Sequence, residues 1–404
     1  MNTLTQKQTQ RQAAPQGWDA AAHDFWLDEK RQEAINAVLA NLNQHTAKKP
    51  LPLVLQFSYY LYLAGDPATA ARVLEMVRPD YAADPQLLLN LSVCLSKSQQ
   101  HDKAIEILSA LSKLQPDNPV VWDSIAHAAY KLKRFEEAEK AGTRAITIKD
   151  LASRPLPKGW TLPATNPEAY LQQKPHINVI AFSLWGDNPC YLRGALDNAL
   201  AGAKIYPGWR LRFYVDQSVP PALCDALRQL GADIITESPD QPLGQKLCWR
   251  FQVANDENVG RFLVRDVDSV INQRERLAVD AWGASDQWFH VMRDYWTHSD
   301  LILAGMWGGI AGVLPDLSAL METYKPPAME TPNIDQWFLR DKVWPYVRTS
   351  CLVHDRCFKP CGVLPWPEKD PAGNAHVGQN IYAVSKAMQE ARLAEWIKQL
   401  PCLS

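Results

Sequence analysis

In the first third of the chain the apolar positions follow helical spacing, and the pattern repeats. Ala70, Ala104 and Ala138 stand 34 residues apart. The same step separates Val54, Leu88 and Trp122, then Phe57, Leu91 and Ile125, then Leu61, Leu95 and Ala129. Leu74 and Leu108 continue it, as do Val77, Leu111 and Ala145. Apolar columns that agree at one such period predict stacked helical hairpins, with the alanine where the two helices of each unit approach most closely. Asp84-Pro85 and Asn118-Pro119 read as helix starts, because proline at the first helical position sacrifices no hydrogen bond. His23 to Asn43 predicts one further amphipathic helix, a cap or degenerate half-repeat. Pro155, Pro157, Pro163, Pro167 and Pro175 then crowd one short stretch. Such density stops helices and predicts a stiff joint.

After the joint the period changes. Ile177 to Leu184 is a mostly apolar run bounded by Gly186-Asp187, the pattern of a buried strand. Tyr191 to Ala203 predicts a helix, Arg210 to Asp216 a strand, and Pro220 to Leu230 a helix that Gly231 caps. Ala232 to Thr236 predicts a third strand, Lys246 to Asn255 a helix, and Arg261 to Val267 a fourth strand. Strands alternating with helices imply a mixed, mainly parallel sheet covered on both faces. The predicted fold class is therefore α+α/β: a tail over 1–17, a helical repeat domain over 18–152, a linker over 153–175 and an α/β domain over 176–404. The 34-residue hairpin unit resembles the tetratricopeptide repeat. Such arrays bind peptides or pack on neighbours, so a protein partner on the helical repeats is expected.

Ligands of α/β sheets bind at the carboxyl ends of the strands, and the fourth strand ends in Asp266 and Asp268. In extended backbone, residues two apart project to the same side. Two carboxylates placed so repel unless a positive group lies between them. A hard divalent cation with oxygen ligands meets that need, and a diphosphate leaving group needs the same ion. The plain alternative is a solvated acidic strand end.

With its strand–helix order, the Asp-x-Asp pair resembles nucleotide-sugar glycosyltransferases of the GT-A (Rossmann-like) fold. The blocks SLWGDNPCYLRGALDNA, YPGWRLRFYVD, WRF, RDVDS, FHVMRD and AGMWGG are similar to those of a group of bacterial and eukaryotic glycosyltransferases. The resemblance covers about Asn178 to Gly312. The chain departs from that group at Val270, where arginine is usual, and at Tyr295, where histidine is usual. The resemblance implies a hexosyltransferase with a divalent metal, Mn²⁺ or Mg²⁺, held by Asp268, by Asp266 directly or through water, and by His354. It implies a donor site that includes Arg250, Lys359 and Asp266. Asp335 and Gln336, at the start of an apolar helix, would lie near the transferred sugar as catalytic residues. Gly305 and Gly308 would let a loop approach the sugar closely.

Composition narrows the reading. Lys plus Arg is 42 and Asp plus Glu 44, a net charge of -2, which argues against a dedicated nucleic-acid binder. No apolar run reaches the length of a membrane span. The polar start, MNTLTQKQTQRQ, has no leader-like apolar segment, so the expected location is cytoplasmic with reduced thiols. Cys351, His354, Cys357 and Cys361 lack the paired spacing of a zinc site. Of 15 tryptophans, Trp185, Trp307 and Trp337 fall in or beside ligand-edge loops, where an indole can stack on a sugar ring. Val384 to Leu400 predicts a terminal amphipathic helix. The expected partners are a nucleotide-sugar donor and a polysaccharide, glycolipid or protein acceptor. One alternative is a non-catalytic repeat scaffold with a degenerate transferase domain. Another is a haloacid dehalogenase-like phosphatase, since FLVRDVDSV fits that nucleophile motif, although three strands precede it here.

Overall fold

The computed structural model describes residues 13–173, 177–326, 333–371, 373–380, 390–391 and 394–395. The tail expected over 1–17 and the helix expected over 384–400 fall mostly outside these residues. The chain divides into two compact units, Met1–Ala145 and Ile146–Ser404.

The first unit is a row of helical hairpins: α1 (Ala20–Leu27), α2 (Arg31–Gln44), α3 (Leu51–Leu63), α4 (Pro67–Val77), α5 (Pro85–Lys97), α6 (His101–Leu114), α7 (Pro119–Lys131) and α8 (Phe135–Ala152), the last running past the division at Ala145. Ala70, Ala104 and Ala138 are fully buried, as the repeat columns require. Asp66, Asp84 and Asn118 accept backbone N–H bonds from Thr69, Leu87 and Val120 at 3.0, 2.8 and 3.0 Å, each one residue before a proline. These caps satisfy donors that no helix can satisfy for itself. The single helix expected over 23–43 is instead two. Glu29, with φ 61°, turns the chain between α1 and α2. Gly65, Gln99 and Lys133, at φ 89°, 62° and 60°, make the corresponding turn in the three repeats. Glutamate, glutamine and lysine in the left-handed region carry no sequence signal, which is why the first hairpin was not legible.

In the second unit, residues of the expected proline-rich linker pack on its own core. Trp160 donates its Nε1–H to the Val313 carbonyl at 2.9 Å, and its ring meets Tyr346 edge-on at 5.0 Å. After α9 (Pro167–Leu171) come β1 (Ile177–Leu184), α10 (Pro189–Ile205), β2 (Trp209–Val215), α11 (Pro221–Gln229) and β3 (Asp233–Thr236). They are followed by α12 (Leu243–Cys248), a 3₁₀ segment Trp249–Asn255, β4 (Val259–Arg265), α13 (Gln273–Gly283), β5 (Phe289–Arg293) and β6 (Met306–Ile310). The chain continues through α14 (Leu317–Glu322), α15 (Ile334–Phe338), a π segment Leu339–Val343, α16 (Trp344–Val347), β7 (Cys351–Asp355) and β8 (Val363–Leu364). The sheet order is β3-β2-β1-β4-β6-β5-β7-β8. β1 to β4 pair in parallel, as do β5, β7 and β8. β6 runs antiparallel between β4 and β5. Among the described residues no helix is long and apolar enough to cross a membrane.

β6 corrects one expectation. Gly308 does not sit in a sugar-facing loop; it is a mid-strand residue opposite Leu263 and His290. A Cβ there would stand 2.4 Å from the Phe262 carbonyl oxygen, and at Gly309 a Cβ would stand 2.6 Å from the Phe289 ring. These glycines let β6 fit between its two neighbours.

Candidate functional site

A cleft of about 570 Å³ opens where β1 and β4 end and β6 begins. Its lining includes Trp185, Arg250, Asp266, Asp268, Asp335 and Gln336. Six residues singled out from sequence, spread over 152 positions from 185 to 336, thus converge on one cavity at the carboxyl edge of the parallel strands, where α/β sheets take their ligands.

The two aspartates meet by a route other than the expected one. β4 stops at Arg265, so Asp266 lies just beyond the strand. The Ser269 N–H donates to the Asp266 carbonyl at 3.2 Å, closing a turn that carries Asp268. Asn198 of α10, wholly buried, fixes this turn: its Nδ2 donates to the carbonyls of Val267 (3.2 Å) and Ser269 (3.0 Å), and its Oδ1 accepts the Ile271 N–H (3.0 Å). Burial, and then the charge of Asp266, push the Asp268 carboxyl up to about 6. Arg265 faces the other way, buried, with its Nε 3.0 Å from Glu275 of α13. Its role is structural.

Arg250 is the hub on the Asp266 side. It is 4 % exposed. One terminal nitrogen bonds Asp266 and, at 3.0 Å, the Arg265 carbonyl; the other bonds Asp335 at 3.0 Å. Its backbone N–H donates to Ser183 Oγ at 3.1 Å, which ties the 3₁₀ segment to β1. Asp335 is buried, and burial, reinforced by the charge of Asp266, leaves its carboxyl raised despite the pull of Arg250. Its Oδ1 also accepts the Gln336 N–H at 2.8 Å. Asp335 therefore anchors Arg250, while the Gln336 side chain is half-buried on the cleft wall.

His354 does not join Asp266 and Asp268. It lies on β7, three strands from β4, roughly 14 Å away at a strand spacing of about 4.8 Å. Its Nδ1 is 2.9 Å from His290 Nε2, and burial pushes it down to about 4. Among the described residues no three His, Cys, Asp or Glu side chains are grouped to hold a metal ion. Lys359 is exposed after β7 and is not among the residues lining the cleft. Gly305 lies behind Asp266 rather than against the cavity, and a Cβ there would stand 2.1 Å from Asp266 Oδ2. Trp307 is 0 % exposed, with its ring edge-on to Phe251 (5.7 Å) and Phe262 (5.2 Å). It is a core residue. Trp307→Ala is expected to cost about 3–5 kcal/mol in urea unfolding, while Trp307→Phe should leave ligand binding unchanged. Trp185, by contrast, lines the cleft, braced edge-on by Trp249 at 6.1 Å.

Other residues of the cleft were not foreseen as site residues. Tyr191, at the start of α10, is one; Asn380 is another, and its Nδ2 donates to Asp268 Oδ2 at 2.7 Å. His298 also lines the cleft; its Nδ1 accepts the Asp294 N–H at 3.1 Å, and burial, then the His376 charge, push it down to about 3. It is therefore neutral, with its ring proton on Nε2. Asn198 and Tyr191 both stand within the SLWGDNPCYLRGALDNA block, the one signal that could have pointed to them.

The tetratricopeptide repeat family model matches residues 61–127. No curated protein matches the chain. Similar solved structures include YrrB, described as a tetratricopeptide protein with an unusual peptide-binding site. It is 17 % identical over 32 % of this chain, which spans 66 % of its length, with a TM-score of 0.30. MamA is 15 % identical over 33 % of this chain and 77 % of its own, TM-score 0.31. MamA from Desulfovibrio magneticus RS-1 is 17 % identical over 33 % and 78 %, TM-score 0.29. The chain thus carries a tetratricopeptide repeat region, followed by a mixed sheet flanked by helices.

Proposed function

We propose that the second unit is a metal-dependent glycosyltransferase of GT-A-like fold, moving a sugar from a nucleoside-diphosphate donor to a polysaccharide, glycolipid or protein acceptor. The observation that carries this reading is the Asp266–Asp268 turn, set into a cleft at the carboxyl edge of β1 and β4. The donor set suits a cation. Two carboxylates share one wall, and burial, then the charge of Asp266, holds the Asp268 carboxyl up at about 6. Mg²⁺ and Mn²⁺ accept one or two carboxylates when water and substrate phosphates complete the shell. Asp268 and Asp266 would hold the ion without His354. Bound there, it would neutralise charge on the departing diphosphate. Arg250 stands beside the pair as a second positive group, and Trp185 offers an indole face to a ring of the donor. The tetratricopeptide repeats suggest a protein-interaction surface.

The test is titration calorimetry with nucleoside-diphosphate sugars, with Mn²⁺ and with EDTA. The reading expects Mn²⁺-dependent binding that Asp268→Ala abolishes. One observation favours a second reading, a scaffold whose transferase domain is inert: Arg250 already pairs Asp266 and Asp335 internally. That reading expects no donor binding in the parent protein.

A further inference from the structure

We infer that Asn380 is a positioning residue for the cation, through Asp268; this rests on the metal-dependent reading above. Asn380 lies 112 residues downstream of Asp268, yet its Nδ2 donates to Asp268 Oδ2 at 2.7 Å. The contact is no accident of a loose terminus, because the chain before it is tied down at successive points. Trp366 donates its Nε1–H to the Arg293 carbonyl at 3.1 Å. Arg274 lies over the Trp366 ring at 4.5 Å and donates to the Lys369 carbonyl at 2.9 Å. The same Arg274 holds the fully buried Asp294 through two 2.9 Å bonds. Asp294 in turn accepts the Val377 N–H at 2.9 Å. Gly378 follows at φ 81°, where a Cβ would stand 2.6 Å from Met306 Sδ. The chain is thus turned tightly over β6, and Asn380 then bridges to Ser269 in the aspartate turn itself.

A carboxylate that gives one oxygen to a neutral amide has its rotation fixed, and the other oxygen is left for the ion. An amide suits this place better than a lysine or arginine, whose charge would compete with the cation. A carboxylate there would add a third negative charge. Asn198 fixes the backbone of the turn and Asn380 fixes one of its side chains, so backbone and ligand are held by different elements.

The experiment is Mn²⁺ binding followed by the electron paramagnetic resonance of the free ion, on the full chain, for the parent, Asn380→Ala and Asn380→Leu. Removing a hydrogen-bond partner of a metal ligand typically weakens affinity about 10–100-fold, and a loss in that range is expected in both variants. Asn380 is exposed, so the melting temperature without metal should stay within about 1 °C of the parent. A purely structural role would lower the melting temperature and leave the Mn²⁺ affinity of the folded protein unchanged, and that result overturns the inference. Unchanged Mn²⁺ affinity with unchanged melting overturns it as well, and leaves the metal-dependent reading standing. A parent protein that binds no Mn²⁺ overturns both.

Discussion

Asp268→Asn is expected to melt higher than the parent at pH 8 while losing metal-dependent donor binding. The folded carboxyl is held at about 6, by burial and then by Asp266, against about 3.9 in an unfolded chain. Between those values the folded state binds more protons than the unfolded one, so stability falls as pH rises through that window. Above about pH 6 the full cost of the ionised group is present. Asparagine removes it, with a gain on the order of 1–2 kcal/mol once the shift is discounted for the solvent in the cleft. The gain should shrink towards zero near pH 4, where the folded carboxyl is protonated anyway. Melting curves at the two pH values check this. A variant that melts lower than the parent at pH 8 would contradict the electrostatic account of the aspartate turn. The trade of stability against ligand binding is what a site built to receive a cation should show.

Arg250→Met is expected to produce the largest stability loss in the cleft, about 3–5 kcal/mol, because it leaves Asp335 buried without its partner. Asp335 is 4 % exposed and has few ways to regain water. The loss should be smaller at pH 5 than at pH 8, since the stranded carboxyl can escape its penalty by taking up a proton. Arg250→Met combined with Asp335→Asn should recover much of it, because no buried charge remains. Urea unfolding of the two variants measures the coupling directly. A single variant that unfolds like the parent would mean that Arg250 is held for the ligand alone.

The parts of this molecule legible in sequence are those where one local cause dominates. The 34-residue hairpins could be read because Ala70, Ala104 and Ala138 answer to one packing constraint, the close approach of two helices. β1 could be placed to the residue, since a strand buried on both faces over most of its length reads as a mainly apolar run. The aspartate pair was visible as a pair, but the reason for its convergence was not: the chain leaves β4 at Arg265 and turns, where extended backbone was expected. β6 was hidden because its glycines read as a turn, whereas their lack of side chains is what admits the strand between Phe262 and Phe289. His354 was placed near the metal by the resemblance alone, because the order of strands in the sheet could not be read. β6 and β5 stand between it and β4. Asn380 was out of reach altogether, because it is delivered by Arg274 and Asp294 from distant parts of the chain. The tryptophans divided on the same principle: Trp185 stands at the cleft just past the end of β1, and Trp307 in the core within β6.

The decisive measurement is a thermal-shift screen of the full chain against nucleoside-diphosphate sugars, with and without Mn²⁺. At least one donor should raise the melting temperature in the presence of Mn²⁺ and not in its absence, as expected when a ligand binds only the folded state. No shift with any donor, with or without the metal, would contradict the metal-dependent reading.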